Sequence, residues 1–279
     1  MRFANLAGRA VIVADDGAVD VHTASDGRFG PSVVDCYDQW DALVAWAATC
    51  TAAPTPYDPA QLGAPSPSPR QSIGIGLNYA KHAAEGGIPV PEYPTTFTKF
   101  PTCIAGPNEP VELPSQNVDW EVELVVVIGR RAHKVGRADA WSHVAGLTVG
   151  QDISERKVQM RQPVPQFNLG KSFPGFGPTG PWLVTPDELA NPDDLALGCT
   201  VNGETMQDSR TSDLIFSVPV LIEELSGIIP LLPGDVIFTG TPEGVGMARK
   251  PPRFLAPGDV IVSTIEGIGS ITTRLVAGS

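Results

Sequence analysis

"VDWEVELVVVIG", residues 118–129, sets two carboxylates at the mouth of an apolar run. Side chains on a strand alternate between its faces, so Glu121 and Glu123 share one side, about 7 Å apart along the chain, while Val122 takes the other. The segment otherwise reads as the most buried strand in the protein. Two like charges this close repel, and in a dry setting they persist only protonated, paired with bases or bound to a cation. The competing reading is a solvated strand end, with both carboxylates in water.

The bulk composition limits what surrounds this strand. With 279 residues, 42% of them hydrophobic, the chain has material for a real core in one large or two modest domains. Nineteen Lys plus Arg against 31 Asp plus Glu give a net charge of −12, which argues against nucleic acid or an anionic membrane as the main partner. No apolar stretch reaches the length of a membrane span, and "MRFANLAGRAVIVADDG" lacks the features of a signal peptide, so a cytoplasmic protein is expected. The four cysteines lie far apart without a C-x-x-C spacing and read as buried, reduced thiols. Gly (29) and Pro (28) are spread without a period, which predicts many turns and short strands.

Outward from the carboxylate strand, residues 1–35 read as strands with a hairpin turned at Asp16 and Gly17, followed by a helix carrying Trp40, Leu43, Val44 and Ala47 at helical spacing. The Pro-rich stretch "TAAPTPYDPAQLGAPSPSPR" then marks a boundary near residue 65. The expected division is a small N-terminal α+β domain, 1–65, and a larger, mostly β domain, 66–279. In the latter, "QSIGIGLNY" reads as a strand and "AKHAAEGG" as a brief helix stopped by Gly86 and Gly87. Residues 161–181 read as loop-rich, "LGCTVNGETM" as a hairpin turned at Asn202 and Gly203, and 213–227 as an amphipathic helix with Pro219 in its first turns. Two "PGDVI" copies, at 233 and 257, each read as a tight turn launching a strand.

Three familiar motifs fail. "GIGLNY" has Tyr79 where a dinucleotide fingerprint needs its third glycine, "LGKS" has Pro165 where a phosphate loop needs its first, and "GKSFP" has Pro174 where a serine-hydrolase elbow ends in glycine. What survives is a candidate metal centre. If Glu121 and Glu123 bind a cation, Asp152 at the end of "TVGQDIS" can supply a third carboxylate. An all-oxygen set of that kind suits Mg²⁺ or Mn²⁺ better than Zn²⁺. His133 and His143 read as surface residues. His82 and Glu85, three apart on the short helix, share a face, either as a base with its orienting carboxylate or as a surface ion pair. The glycines after them would let that helix move as a lid.

The order "GLNYAKHAAE", "EVELVVVIG", "GQDIS", "NLGKSF", "VNGE", "PGDVIFTGTPEGVG" resembles the fumarylacetoacetate hydrolase family over roughly residues 70 to 275. The resemblance implies an α+β, predominantly β fold: a mixed β-roll catalytic domain behind a small N-terminal domain, forming a homodimer. It implies Mg²⁺ or Mn²⁺ held by Glu121, Glu123 and Asp152, with Lys171 opposing developing enolate charge. Thr241 would help hold the substrate carboxylate, His82 and Glu85 would activate water, and Arg156 and Gln159 would line the pocket. In this sequence Leu77 stands where acylpyruvase-like members carry an arginine. The expected reaction is hydrolysis of a carbon–carbon bond in a 2,4-dioxo acid through a metal-stabilised enolate. Decarboxylation of oxaloacetate-type acids and isomerisation of unsaturated dioic acids on the same site are the alternatives, and a non-catalytic metal-binding protein is the remaining one.

Overall fold

The computed structural model describes residues 1–278. The strand Val122–Ile128 lies inside an eleven-stranded sheet, antiparallel to Val144–Gln151 on one side and to Val236–Phe238 on the other. From Val144–Gln151 the sheet continues through Gly177–Val184 to the N-terminal strands Arg2–Leu6, Arg9–Ala14 and Gly17–Asp20. From Val236–Phe238 it continues through a parallel neighbour, Ser72–Gly76, to Thr95–Thr98. A five-stranded sheet, in the order Glu204–Arg210, Ala196–Val201, Val260–Ile265, Gly269–Ala277, Val111–Leu113, accompanies it. Mixed sheets and few helices make the predominantly β, α+β architecture expected from the sequence.

Every residue of Val122–Ile128 is buried, and alternation sorts them. Val122, Leu124, Val126 and Ile128 join the main core with Leu197, Val201, Ile261, Ile265 and Ile271 of the smaller sheet. Val125 and Val127 face the other way, into a second cluster with Phe3, Trp40, Leu43 and Phe238. A strand covered on both faces needs apolar side chains at both parities, which is why it reads as an unbroken run rather than an alternation.

That second cluster ties residues 1–65 to the rest of the chain. Residues 1–65 do not form a sheet of their own: Arg2 and Phe3 pair with Val184 and Leu183, and the helices Val33–Tyr37 and Trp40–Ala47 contribute Tyr37, Trp40 and Leu43 to the cluster around Val125 and Val127. Neither partner could keep that apolar surface from water alone. Two local expectations also shift. The helix at 213–227 runs over Val218–Ile228, because Pro219 is accommodated only in a first turn. The loop-rich 161–181 contains a short helix, Phe167–Gly170, and the start of the strand Gly177–Val184. Both "PGDVI" turns launch strands, through Gly234 and Gly258 at φ 84° and 94°.

Among the described residues no helix is long and apolar enough to cross a membrane. Cys36, Cys103 and Cys199 are buried and Cys50 is half-buried, all as free thiols. Burial, with Asp35 adding, pushes the Cys36 thiol up to about 12, and burial does the same to Cys199. Ellman's reagent should therefore titrate Cys50 alone in the folded protein and all four thiols in denaturant.

Candidate active site

Strand register brings the carboxylates together. Val122 pairs with Gln151, so Glu121 and Asp152 are the next pair outward, and Asp152 N–H donates to the Glu121 carbonyl at 2.9 Å. Opposed residues of antiparallel strands point to the same side, and Glu123, two residues along, shares it. One oxygen from each carboxylate lies within 4.8 Å of the others. Glu121, Glu123 and Asp152 are 5%, 1% and 0% exposed, which removes the solvated strand end as a reading.

Three cations stand against these acids. Lys171 Nζ donates to Glu121 Oε2 and Asp152 Oδ2 at 2.6 Å each and to Ser154 Oγ at 2.8 Å. Lys99, fully buried, donates to Asp152 Oδ1 at 2.7 Å and to the carbonyls of Lys171 and Phe176. Arg156 reaches Glu121 Oε1 at 2.8 Å and Asp119 Oδ2 at 2.7 Å. With Asp119 counted, four carboxylates face three cations, so the cluster is one positive charge short. The shortfall falls on Glu123, whose only hydrogen-bond donor among the described residues is the Gly240 N–H, at 2.7 Å from Oε2. Burial and then the charges of Asp152 and Glu121 push its carboxyl well above the usual range. For Glu121 the burial effect is outweighed by Lys171 and Arg156, which bring it down to about 2.

Local backbone chemistry makes these approaches possible. Gly240 sits at φ 102°, and a Cβ there would lie 2.7 Å from the Asn78 Cβ, so only glycine aims this N–H at Glu123. Gly170 passes so close to the helix Arg156–Gln159 that a Cβ would meet the Gln159 nitrogen at 2.6 Å, which seats Lys171 beside the acids. Buried amides hold the strand end: Gln151 Oε1 accepts from Glu121 N–H at 2.8 Å, and Gln207 Oε1 from Val122 N–H at 2.9 Å.

Above the cluster lies a cavity of about 550 Å³, lined among others by His82, Glu85, Glu121, Glu123, Arg156, Gln159, Lys171 and Thr241. Of the residues singled out from the sequence, only Asp152 lies behind the cavity wall. His82 Nδ1–H donates to Glu85 Oε1 at 2.7 Å, a direction fixed because a carboxylate only accepts, and this leaves Nε2 as the acceptor. The other Glu85 oxygen accepts from Gly244 N–H at 2.9 Å, pinning the short helix Ala80–Glu85 to the glycine-rich loop. Thr241 commits its hydroxyl hydrogen to the Val122 carbonyl at 2.9 Å and accepts from Gln207 Nε2 at 2.8 Å. Lys99, Asp119, Gln151 and Gln207 were not singled out in the sequence. Lys99 had a signal: it is the one charged residue from Tyr93 to Asn108, between Phe97 and Phe100. Asp119 lies inside the opening motif, two residues before Glu121.

The donor set fits a divalent cation. Three buried carboxylates converge, one of them lacks a cationic partner, and the cluster opens to a cavity that leaves room for further oxygen ligands. In metal-free protein, burial and the neighbouring acids let Glu123 keep its proton to higher pH than in the unfolded chain, where its ordinary value is 4.5. The folded state then binds the extra proton, so stability declines as pH rises above about 4.5. Thermal denaturation of Glu123→Gln should lack this decline, and Mn²⁺ should raise the melting temperature of the wild type much more than that of the variant.

A model of the family described as fumarylacetoacetate (FAA) hydrolase C-terminal matches residues 71–276. The chain is 47% identical over 215 residues to the bovine (Bos taurus) mitochondrial oxaloacetate tautomerase FAHD2A, covering 76% of this chain and 68% of that one. A crystal structure from Mycobacterium smegmatis superposes over the whole of both chains with a TM-score of 0.96 at 54% identity. The maleylpyruvate hydrolase of Sphingobium sp. SYK-6, in complex with manganese(II) and pyruvate, does so with a TM-score of 0.80 at 30% identity. By the match across its catalytic core and the carboxylate cluster at its centre, this chain is an enzyme of the fumarylacetoacetate hydrolase family.

Proposed function

We propose that this chain is a divalent-metal-dependent enzyme, using Mg²⁺ or Mn²⁺, that interconverts the enol and keto forms of an oxaloacetate-type 2-oxo acid. Carbon–carbon hydrolysis of a 2,4-dioxo acid, the reaction expected first from the sequence, gives way to keto–enol interconversion, which stands closer to the expected alternatives of oxaloacetate-type decarboxylation and dioic acid isomerisation. The observation that carries the reading is the shared cavity: His82, whose Nε2 is left as an acceptor, lines the same volume as Glu121, Glu123 and Lys171. The curated relatives named as oxaloacetate tautomerases support the choice among enolate reactions.

Glu121, Glu123 and Asp152 would hold the cation. Bound there, it supplies Lewis-acid polarisation of a carbonyl oxygen. The chain's own groups do the rest. Gln159, whose Oε1 is taken by Arg156 Nη1 at 2.9 Å, keeps its amide donors for a substrate carboxylate. Lys171 places a positive charge beside the 2-oxygen, where negative charge grows as the enolate forms. His82 Nε2 takes the proton from C3; the C–H electron pair becomes the C2–C3 double bond as the C2=O π pair moves onto the 2-oxygen, which takes a proton from water, and the imidazolium gives its proton to the hydroxide left behind, so no net proton is gained or lost. In the reverse direction the imidazolium returns the proton to C3. Glu85 holds the ring in the tautomer this requires and steadies its charge. Arg156 ties Glu121 to Asp119 and keeps the cluster from opening.

Adding metal-loaded protein to enol oxaloacetate should speed the decay of its ultraviolet absorbance, and chelation should abolish the effect. His82→Ala should slow it about 10²- to 10⁴-fold with Mn²⁺ binding retained. Pyruvate accumulating at the same rate would instead assign decarboxylation, and an unimpaired His82→Ala variant would remove His82 as the proton carrier.

A further inference from the structure

Two cations in the cavity remain after the acids have been paired. Lys171 and Arg156 are locked to Glu121, Asp152 and Asp119. Arg249 and Lys250 line the same cavity, and among the described residues neither forms a salt bridge. Arg249 donates once, from Nη2 to the Met206 carbonyl at 3.1 Å, and its buried Nε–H has no partner. A guanidinium carries five donors, and a buried one left without acceptors is costly. Arg249 is half-buried and Lys250 exposed at the cavity rim, beside the apolar side chains of Ile88, Phe167, Val245 and Met247.

The loop bearing these cations is held in place before anything binds. Asp119 accepts from Gly246 N–H at 2.7 Å and Met247 N–H at 3.0 Å while also paired with Arg156, so one carboxylate links the loop to the acid cluster. Arg253 N–H closes the turn onto the Gly246 carbonyl at 3.0 Å, and a Cβ on Gly246 would fall 2.0 Å from the Arg253 oxygen. The Arg249 guanidinium rests 5.7 Å from the centre of the Trp120 ring. A preorganised guanidinium on an apolar wall matches one chemistry above others, a carboxylate taken by charge-assisted hydrogen bonds.

We propose that Arg249, supported by Lys250, binds the second carboxylate of a dicarboxylic 2-oxo acid whose 2-oxo acid end faces Glu121, Glu123 and Asp152. The enzyme thereby selects diacids over monoacids of equal length. The inference rests on the 2-oxo acid reading above and adds the residues that set its specificity. A site built around an unpaired cation discriminates strongly against a methyl group in the anion's place.

The test is calorimetric titration of Mn²⁺-loaded protein with 2-oxoglutarate and with 2-oxopentanoate, which differ only in carboxylate against methyl at the far end. Wild type should bind the diacid at least about tenfold more tightly. Arg249→Gln should bring the ratio toward one, Lys250→Gln should lower it by less, and Arg249→Lys should recover part of it. Mn²⁺ titration by electron paramagnetic resonance identifies variants that are folded and loaded, and the comparison uses those. A wild-type ratio near one, or an unchanged ratio in Arg249→Gln, overturns this inference while leaving enol–keto turnover to be judged separately. Failure of both acids to bind loaded wild type overturns the 2-oxo acid reading and this inference with it.

Discussion

Packing three carboxylates into a dry interior is the constraint around which the rest of this molecule is arranged. Each ion removed from water costs several kcal/mol even after relaxation, and like charges at this spacing add repulsion. Lys171, Lys99 and Arg156 answer that cost, and each is itself buried, so each needs the acids in turn. Burial works against the charged form of Lys99, but the Asp152 carboxylate together with the other groups around it outweighs that and shifts the ammonium upward. Such a network is a poor way to gain stability, since apolar residues of the same volume would do as well. A cluster with one carboxylate short of a cationic partner fits a site that takes up a further cation.

The scaffold explains how charges of this kind are held in place. All three acids sit at the mouths of two central strands whose bodies are packed from both sides, by the smaller sheet on one face and by the N-terminal helices on the other. The N-terminal segment therefore supports the site by keeping Val125 and Val127, which share a face of the strand with Glu121 and Glu123, out of water. The groups proposed to handle protons and the far end of the substrate lie on shorter elements tied back to the core, by Glu85 on Gly244 and by Asp119 on Gly246 and Met247. Rigid carboxylates with a pinned but lightly built rim make a division suited to admitting a substrate without disturbing the charge cluster.

Much of this was legible in the order of residues. The unbroken run 122–128 announced two-sided burial, the parity of Glu121 and Glu123 put both on one face, His82 and Glu85 met through helical spacing, and glycines marked the turns. These features depend only on the local period of a strand, a helix or a tight turn, and the backbone enforces that period wherever the segment lies. What the sequence by itself could not decide was the fate of each charge. Lys99 meets Asp152 across 53 residues and Lys171 meets Glu121 across 50, contacts created by sheet register and by the close pass at Gly170. The apparent boundary at residue 65 is of the same kind: composition marks a break in regular structure, while the apolar faces on either side of it must still be buried, and they bury each other. Local periodicity determined which side chains could act together; only tertiary packing decided which charges were neutralised and which was left short.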